Sequence, residues 1–403
     1  MIATAVILAP GVEGLTPLFG IPAIRRLVLI LRRLGFCDIH VVGRVAPFVP
    51  VLEDLTPRRF FHPVERDEAL EEVVRELSIP AEEKLLVLKA NQVVDRRALG
   101  RFLEGCGGEL PCRMSAAGAD EPSGGIFVVE RADLSPAVHS LWFRSALDPA
   151  VLERMRCLPG EGGLPCGVEG AADAKCCEDR LVGVLSAHTK ADDGWIASHF
   201  DRHISQFISR RIAHTGLSPN QITLMGMTVG LIGALMLSLP GYWPKLFGAL
   251  LFVICVVVDG VDGEVARLAL KESTFGHYLD IVTDNIVHAA IFVGVAFGLY
   301  HDAGDTIYLR FLWAMLGGFG VCLIAVYQCI LRLDEETLQQ SPGTLRVMAL
   351  VTNRDFAYLV FALALIGRLD WFLFGAAVGS YLFAIGLWVI SFREKKKRAV
   401  SAD

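Results

Sequence analysis

The chain has 403 residues, 53% hydrophobic and 20% charged, with a mean hydropathy of +0.48; an ordinary soluble domain is about 45–50% apolar and about 25% charged. Its 38 Lys+Arg against 44 Asp+Glu give a net charge of −6, which leaves no basic footprint for nucleic acid. The apolar excess lies in residues 221–392, whereas residues 1–220 carry most of the charge and most of the cysteines, which excludes a disordered chain, a small disulfide scaffold and a purely soluble enzyme.

Met1–Gly11 has no basic leading segment and no cleavage site, so it reads as a strand over Ala3–Ala9 and not as a signal peptide. Ile21–Leu34 follows as an amphipathic helix with Arg25, Arg26, Arg32 and Arg33 on its polar side. Then come a strand at Asp38–Val42, a charged helix at Glu65–Leu77, and strands at Lys84–Lys89 and Gly125–Val129. Strands alternating with helices predict an α/β domain with a mixed sheet over residues 1–190. Residues 155–178, rich in Gly and Cys, read as a loop or insertion. The chain has no C-x-x-C, so its ten cysteines read as reduced thiols.

In residues 191–216 the pattern changes. Ile196, Phe200, Ile204, Phe207, Ile208 and Ile212 recur at helical spacing among Arg202, His203, Arg210 and Arg211. A basic amphipathic helix just before a span is expected to lie in the membrane interface. Six apolar stretches follow at Ile222–Leu239, Leu246–Leu270, Gly276–Tyr300, Leu309–Leu331, the short Phe356–Leu369, and Trp371–Phe392; a span needs about 20 residues. Residues 217–398 therefore read as an all-α, six-helix transmembrane domain, with 399–403 as a tail. Arg393-Glu-Lys-Lys-Lys-Arg398 places the C-terminus in the cytoplasm by the positive-inside rule, and six spans bring the N-terminal domain to the same side of the cytoplasmic membrane.

Four aspartates interrupt the second and third stretches: Asp259, Asp262, Asp280 and Asp284. Each costs about 2.5–3.5 kcal/mol at a helix centre on insertion scales, so they must face a wet, protein-lined space. Asp259, Asp262 and Ala266 share one helical face, as do Gly276, Asp280 and Asp284. Converging hard oxygen ligands call for Mg²⁺ or Mn²⁺, and their density suits two ions that clamp phosphate oxygens. Gly263 and Gly276 leave room for close approach, and Arg267 adds a fixed positive charge.

The run Asp259-Gly-Val-Asp262-Gly263-Glu-Val-Ala266-Arg267, then Gly276, Asp280 and Asp284, resembles the signature of the CDP-alcohol phosphotransferases. That signature is D-x-x-D-G-x-x-A-R, eight residues, G-x-x-x-D-x-x-x-D, and all its fixed positions match. Ser218-Pro219-Asn220-Gln221-Ile222-Thr223 resembles the P-N-x-I-T stretch that opens the family's first span. The resemblance implies transfer of a substituted phosphate from a CDP-alcohol donor to an alcohol or phosphorylated-alcohol acceptor, with CMP leaving. It implies Asp259, Asp262 and Asp280 as metal ligands, and Asp284 as general base and further ligand. It also implies a CDP site formed by Asp259, Gly263, Ala266, Arg267, Gly276, Asn220 and Thr223. A homodimer is compatible with it.

The N-terminal half resembles a sugar-phosphate nucleotidyltransferase domain through Val6-Ile7-Leu8-Ala9-Pro10-Gly11 and Pro17-Leu18-Phe19-Gly20-Ile21-Pro22. Fused to such spans, it is similar to the bifunctional inositol-phosphate cytidylyltransferase/di-myo-inositol-phosphate-phosphate synthases. Here the phosphate-binding G-x-G-T-R is reduced to Gly11-Val-Glu-Gly14, and Ala90-Asn91-Gln92 stands where that family has a metal-binding Asp. Without those groups a triphosphate has no counter-charge, so the expectation is a degenerate domain. Three other readings stay open: a bifunctional enzyme that makes its own CDP-inositol, a secondary transporter with midplane carboxylates, and a membrane anchor for the α/β domain. Arg354, with Arg332, is expected either to bind an acceptor phosphate by its bidentate geometry or to snorkel to headgroups.

Overall fold

A computed structural model describes residues 2, 4–77, 79–80, 83–106, 111–115, 126–143, 155–159, 164–189, 202–331 and 356–402. The chain divides into two compact units. The first comprises Met1–His188, Ala213–Gly216 and Leu268–Leu270; the second comprises Thr189–Ile212, Leu217–Arg267 and Lys271–Asp403.

The first unit is built on seven strands: β1 (Thr4–Ala9), β2 (Asp38–Gly43), β3 (Phe61–Pro63), β4 (Leu85–Lys89), β5 (Cys112–Ser115), β6 (Ile126–Val129) and β7 (Arg156–Pro159). Their spatial order is β7-β5-β6-β4-β1-β2-β3. β6 runs antiparallel to both neighbours and the remaining pairs are parallel, so the sheet is mixed, as the sequence predicts. Every residue of β1 is buried, which explains its unbroken apolar run, since a central parallel strand is covered on both faces. Ala5, Ile7 and Ala9 pack with Ile24, Leu27, Val28 and Leu31 of α1 (Ala23–Arg33) and with Leu99 and Phe102. Val6 and Leu8, pointing the other way, join Leu70 and Val74 of α2 (Leu70–Glu76). Successive side chains on a strand point to opposite faces, so the two helical layers follow from one strand's register. Leu99 and Phe102 belong to α3 (Arg96–Gly105), whose N-cap Asp95 accepts from the Arg97 and Ala98 N–H groups. α4 (Leu134–Phe143) also lies on the Val6 face.

Residues 155–178 are not simply a loop. They contain β7, a two-residue strand at Cys166–Gly167 paired with Gln92–Val93, and the start of α5 (Ala171–Thr189). Nor do all ten thiols stay reduced: Cys166 and Cys177 form a disulfide, because strand and helix bring their Cα atoms to 6.3 Å.

The second unit is helical. Its elements are α6 (Arg202–Ile212), α7 (Pro219–Ser238), α8 (Tyr242–Leu268), α9 (Thr274–Ala303), α10 (Ile307–Val326), α11 (Phe356–Leu365) and α12 (Leu369–Ala402). Five of these helices are long and apolar enough to cross a membrane. The fifth expected span differs: among the described residues it is the ten-residue α11, about 15 Å long at 1.5 Å per residue.

Local sequence sets the helix starts. Ser218 and Gln221 form a capping box ahead of α7, with Pro219 in its first turn; Ser273 caps α9 by accepting from the Gly276 N–H. Gly294 and Gly298, one turn apart on α9, let that helix meet the backbone of α7. A Cβ at either would come within 2.3 and 2.0 Å of the Ala234 and Leu237 carbonyl oxygens. Small residues at that spacing allow tight packing in lipid, where apolar surface gives no preference for protein over tails. At the far end, Lys245 of α8 is 8% exposed in its side chain and forms an ion pair with Asp302 of α9, so neither charge faces lipid alone. α6 lays Ile208 and Ile212 against Ile222, Val261 and Val265.

Candidate active site

α8 descends and α9 returns, so residues near the end of one meet residues near the start of the other. Ligand oxygens of Asp259, Asp280 and Asp284 lie within 4.8 Å of one another, all three residues being half-buried. One divalent cation can bridge such a group, since carboxylate oxygens sit about 2.0–2.6 Å from Mg²⁺ or Ca²⁺. Without a cation three carboxylates this close repel strongly. The donor set is oxygen-only and therefore fits a hard metal.

Asp262 lies outside this group of three. It is 6% exposed and accepts a hydrogen bond from the Thr223 hydroxyl of α7, so its nearest described partner is a neutral donor on another helix. Thr223 is itself buried. The predicted site residues thus fall into small groups. Thr223 pairs with Asp262. Asn220 reaches Gly276, where a Cβ would come 3.0 Å from its Oδ1. Gly263 opens towards Arg267, whose Nη1 would be 3.4 Å from a Cβ there. Ala266 and Arg267 are half-buried at the end of α8. Arg332 and Arg354 lie outside the described residues.

Two neighbours of the site escape the motif. Cys255, one turn before Asp259, is 7% exposed, and its Sγ would be 2.9 Å from a Cβ at Gly230. Glu264, at a variable position of the motif, accepts from Ser205 of α6 at 2.8 Å. The only signal for the second was a serine on the polar side of a helix read as interfacial. His288, one turn beyond Asp284, packs its ring on Phe252 and Phe356, with centroids 6.0 and 5.0 Å away.

In the first unit, the polar side chains after β4 are engaged by the chain's own backbone. Asn91 Nδ2 donates to the Val168 carbonyl at 3.2 Å, and Gln92 Oε1 accepts from the Lys89 N–H at 3.1 Å. The Glu13 carboxylate folds over Gly11, where a Cβ would come within 2.3 Å of it.

The match to known families follows the same division. Residues 217–393 fit the CDP-alcohol phosphatidyltransferase family model. They are a CDP-alcohol phosphatidyltransferase domain. The chain is 29% identical over 228 residues to a bifunctional IPC transferase and DIPP synthase of Archaeoglobus fulgidus, covering 54% of this chain and 43% of that one. A protein of the same description from Thermococcus kodakarensis is 31% identical over 140 residues, 34% of this chain and 30% of its own length. The chain thus spans less than half the length of these curated relatives. Among solved structures, Mycobacterium tuberculosis phosphatidylinositol phosphate synthase with CDP-DAG bound is similar at 22% identity, covering 48% of this chain and 92% of that one, with a TM-score of 0.30.

Proposed function

We propose that the chain transfers a substituted phosphate group from a CDP-alcohol to an acceptor alcohol and releases CMP, in phospholipid or inositol-phosphate biosynthesis. The observation that carries this is the convergence of Asp259, Asp280 and Asp284 inside a domain of the matching family. The acceptor's hydroxyl attacks the β-phosphorus of the donor, and the bond from that phosphorus to the CMP oxygen breaks. Asp284 takes the hydroxyl proton at a carboxylate oxygen. Arg267 balances phosphate charge, and Asn220, Thr223, Gly263, Ala266 and Gly276 line the donor's seat. Asp259, Asp262, Asp280 and Asp284 hold Mg²⁺ or Mn²⁺, two ions in this reading, which when bound supply charge stabilisation at phosphate oxygens. Asp262 enters that set only if the Thr223 hydroxyl leaves its second oxygen available.

The N-terminal domain, in this reading, has lost cytidylyltransferase activity, because Asn91 and Gln92 are tied to backbone and an acidic side chain covers Gly11. The domain boundaries near residues 190, 216 and 398, the interfacial placement of α6, cytoplasmic termini and a homodimer belong to the same proposal. Two donors are carried as alternatives: CDP-diacylglycerol, which would give a phospholipid, and CDP-inositol, which would give a soluble product or its lipid relative.

The test is mass spectrometry of membranes containing the chain, incubated with either donor, Mg²⁺ and candidate alcohols or alcohol phosphates. CMP and a coupled phosphodiester are expected, both lost in excess chelator and restored by Mg²⁺ or Mn²⁺ but not Zn²⁺. Full activity in chelator overturns the metal assignment; no CMP from either donor overturns the reaction.

A further inference from the structure

α10 does not run regularly to its end. Tyr327–Leu331 forms one π-turn, a local widening that turns side chains out of the usual helical array and often accompanies a binding site. Beside it, Trp388 of α12 donates its indole N–H to Gln328 Oε1 at 3.1 Å. A groove of about 630 Å³ opens there, lined by Gln328, Cys329, Trp388, Ser391, Phe392 and Arg393. Cys329 and Ser391 form its buried side, at 4% and 5% exposure, whereas Phe392 is 71% exposed. None of these residues belongs to the carboxylate site.

The lining has a definite polarity. Its charged member is Arg393, which closes the apolar stretch Leu369–Arg393 of α12. Gln328 accepts from Trp388 through its oxygen, and the other end of its side-chain amide is a donor. Among the described residues no carboxylate lines it. Tryptophan at the end of a span marks headgroup depth, and Phe392 with Val389 adds an apolar wall. Beyond the groove α12 continues as one helix to Ala402, through Arg393-Glu-Lys-Lys-Lys-Arg398, a basic run of the kind that draws anionic lipid to a membrane surface. A donor-rich end beside an apolar wall matches a phosphate carrying an acyl chain. Free phosphate would leave Phe392 and Val389 unused.

We propose that the groove between α10 and α12 binds the headgroup phosphate of an anionic membrane phospholipid. Arg393 and the Gln328 amide hold the phosphate, Trp388 fixes the Gln328 amide, and Phe392 and Val389 take the upper acyl chain. This goes beyond the transfer reaction and does not depend on it.

Native mass spectrometry of the full chain in detergent, titrated with phosphatidylglycerol, phosphatidylcholine or inorganic phosphate, tests it. Phosphatidylglycerol adducts should form well below the concentration at which phosphatidylcholine adducts appear, and millimolar phosphate should not displace them. Arg393→Gln combined with Gln328→Ala should weaken phosphatidylglycerol about tenfold or more, as expected for losing charge-assisted hydrogen bonds. Replacing Lys395, Lys396 and Lys397 together by Gln should weaken it less than the groove variant does, because those side chains are not among the groove's described lining residues. A tail variant as damaging as the groove variant, equal binding of both lipids, or displacement by free phosphate would each overturn the proposal. A second readout leaves Arg393 and Gln328 in place. Phosphatidylglycerol brominated near the headgroup should quench a fluorescence component that Trp388→Phe removes, and identical quenching of the two proteins counts against the site.

Discussion

The edge after β4 in the first unit and the carboxylate cluster of the second unit have opposite fates. At the end of β4, polar side chains that could face a ligand are bound to the chain itself: Asn91 to Val168, Gln92 to Lys89. Where α8 meets α9, three carboxylates face one another within 4.8 Å, an arrangement that mutual repulsion disfavours and that a cation relieves. A protein keeps such a repulsion in a membrane helix only where something offsets it, since one Asp at mid-helix already costs about 2.5–3.5 kcal/mol. Polar groups held by the chain's own backbone signal structure; converging carboxylates at hard-ligand spacing suit a divalent cation.

The largest expected effect strikes the carboxylate side. Asp284→Asn should lower turnover by about 10²–10⁴-fold, the usual contribution of a general base, while donor binding stays within about tenfold. Steady-state kinetics with a separate binding titration of the CDP-alcohol checks both. More than a tenth of wild-type activity would remove Asp284 from the base role and turn the comparison into one about metal binding alone.

Next comes a pH effect confined to the first unit. His40 Nδ1 and His62 Nε2 are 2.9 Å apart, on β2 and β3. Burial first, and the neighbouring His62 second, push the His40 pKa down from 6.5 to about 4; burial also lowers that of His62. The unfolded chain therefore binds more protons than the folded one between those values, so stability is full above pH 6.5 and lost as pH falls towards 4. At about 1.4 kcal/mol per unit the loss is at most about 3.5 kcal/mol for His40. The opening free energy of β1–β3, from hydrogen exchange corrected for the intrinsic exchange rate at each pH, should fall between pH 7 and 4.5, and His40→Gln should flatten the dependence. An unchanged slope in that variant would assign the acid sensitivity elsewhere.

How much of this was legible beforehand divides along physical lines. The long spans and the carboxylate faces depend on hydropathy and on i, i+3 and i+4 spacing, which one helix carries by itself, and α7–α10 begin and end within a few residues of expectation. β1, α1, β2, β4 and β6 were readable for the same reason. β5 (Cys-Arg-Met-Ser) and β7 (Arg-Cys-Leu-Pro) were not. Strands of four residues are too short for their own pattern to mark them and are fixed by the neighbours they pair with. α5 was hidden because its start is Cys-rich and follows a Gly-rich stretch. At the site, the four Asp were visible but the division among them was not. Asp262 is set apart by Thr223, 39 residues away on another helix, and helical periodicity says nothing about which neighbour reaches across.

That division gives the third prediction. Thr223→Val keeps the shape and removes the donor, so the Asp262 carboxylate loses a hydrogen bond worth about 1.5–3 kcal/mol to a charged group. If Asp262 acts with the other three, kcat/KM should fall about tenfold or more and the Mg²⁺ concentration for half-activity should shift. Unchanged metal dependence would leave Asp262 as a helix-packing group and the site with three ligands.

The smallest effect sharpens the other half of the comparison. Asn91→Ala removes one partly buried hydrogen bond to the Val168 carbonyl, worth about 1 kcal/mol. A modest rise in hydrogen exchange around Cys166–Gly167 and its partner Gln92–Val93 is expected, because Val168 follows that short ladder. The proposed transfer should change less than twofold. CTP with an alcohol phosphate should give no pyrophosphate before or after the change, because an amide already bound to a carbonyl is a poor Mg²⁺ ligand and Gly11 lies under the Glu13 carboxylate. Pyrophosphate release by the unmodified chain, abolished in Asn91→Ala, would make Asn91 a ligand after all. The self-satisfied edge would then be the resting state of a second active site.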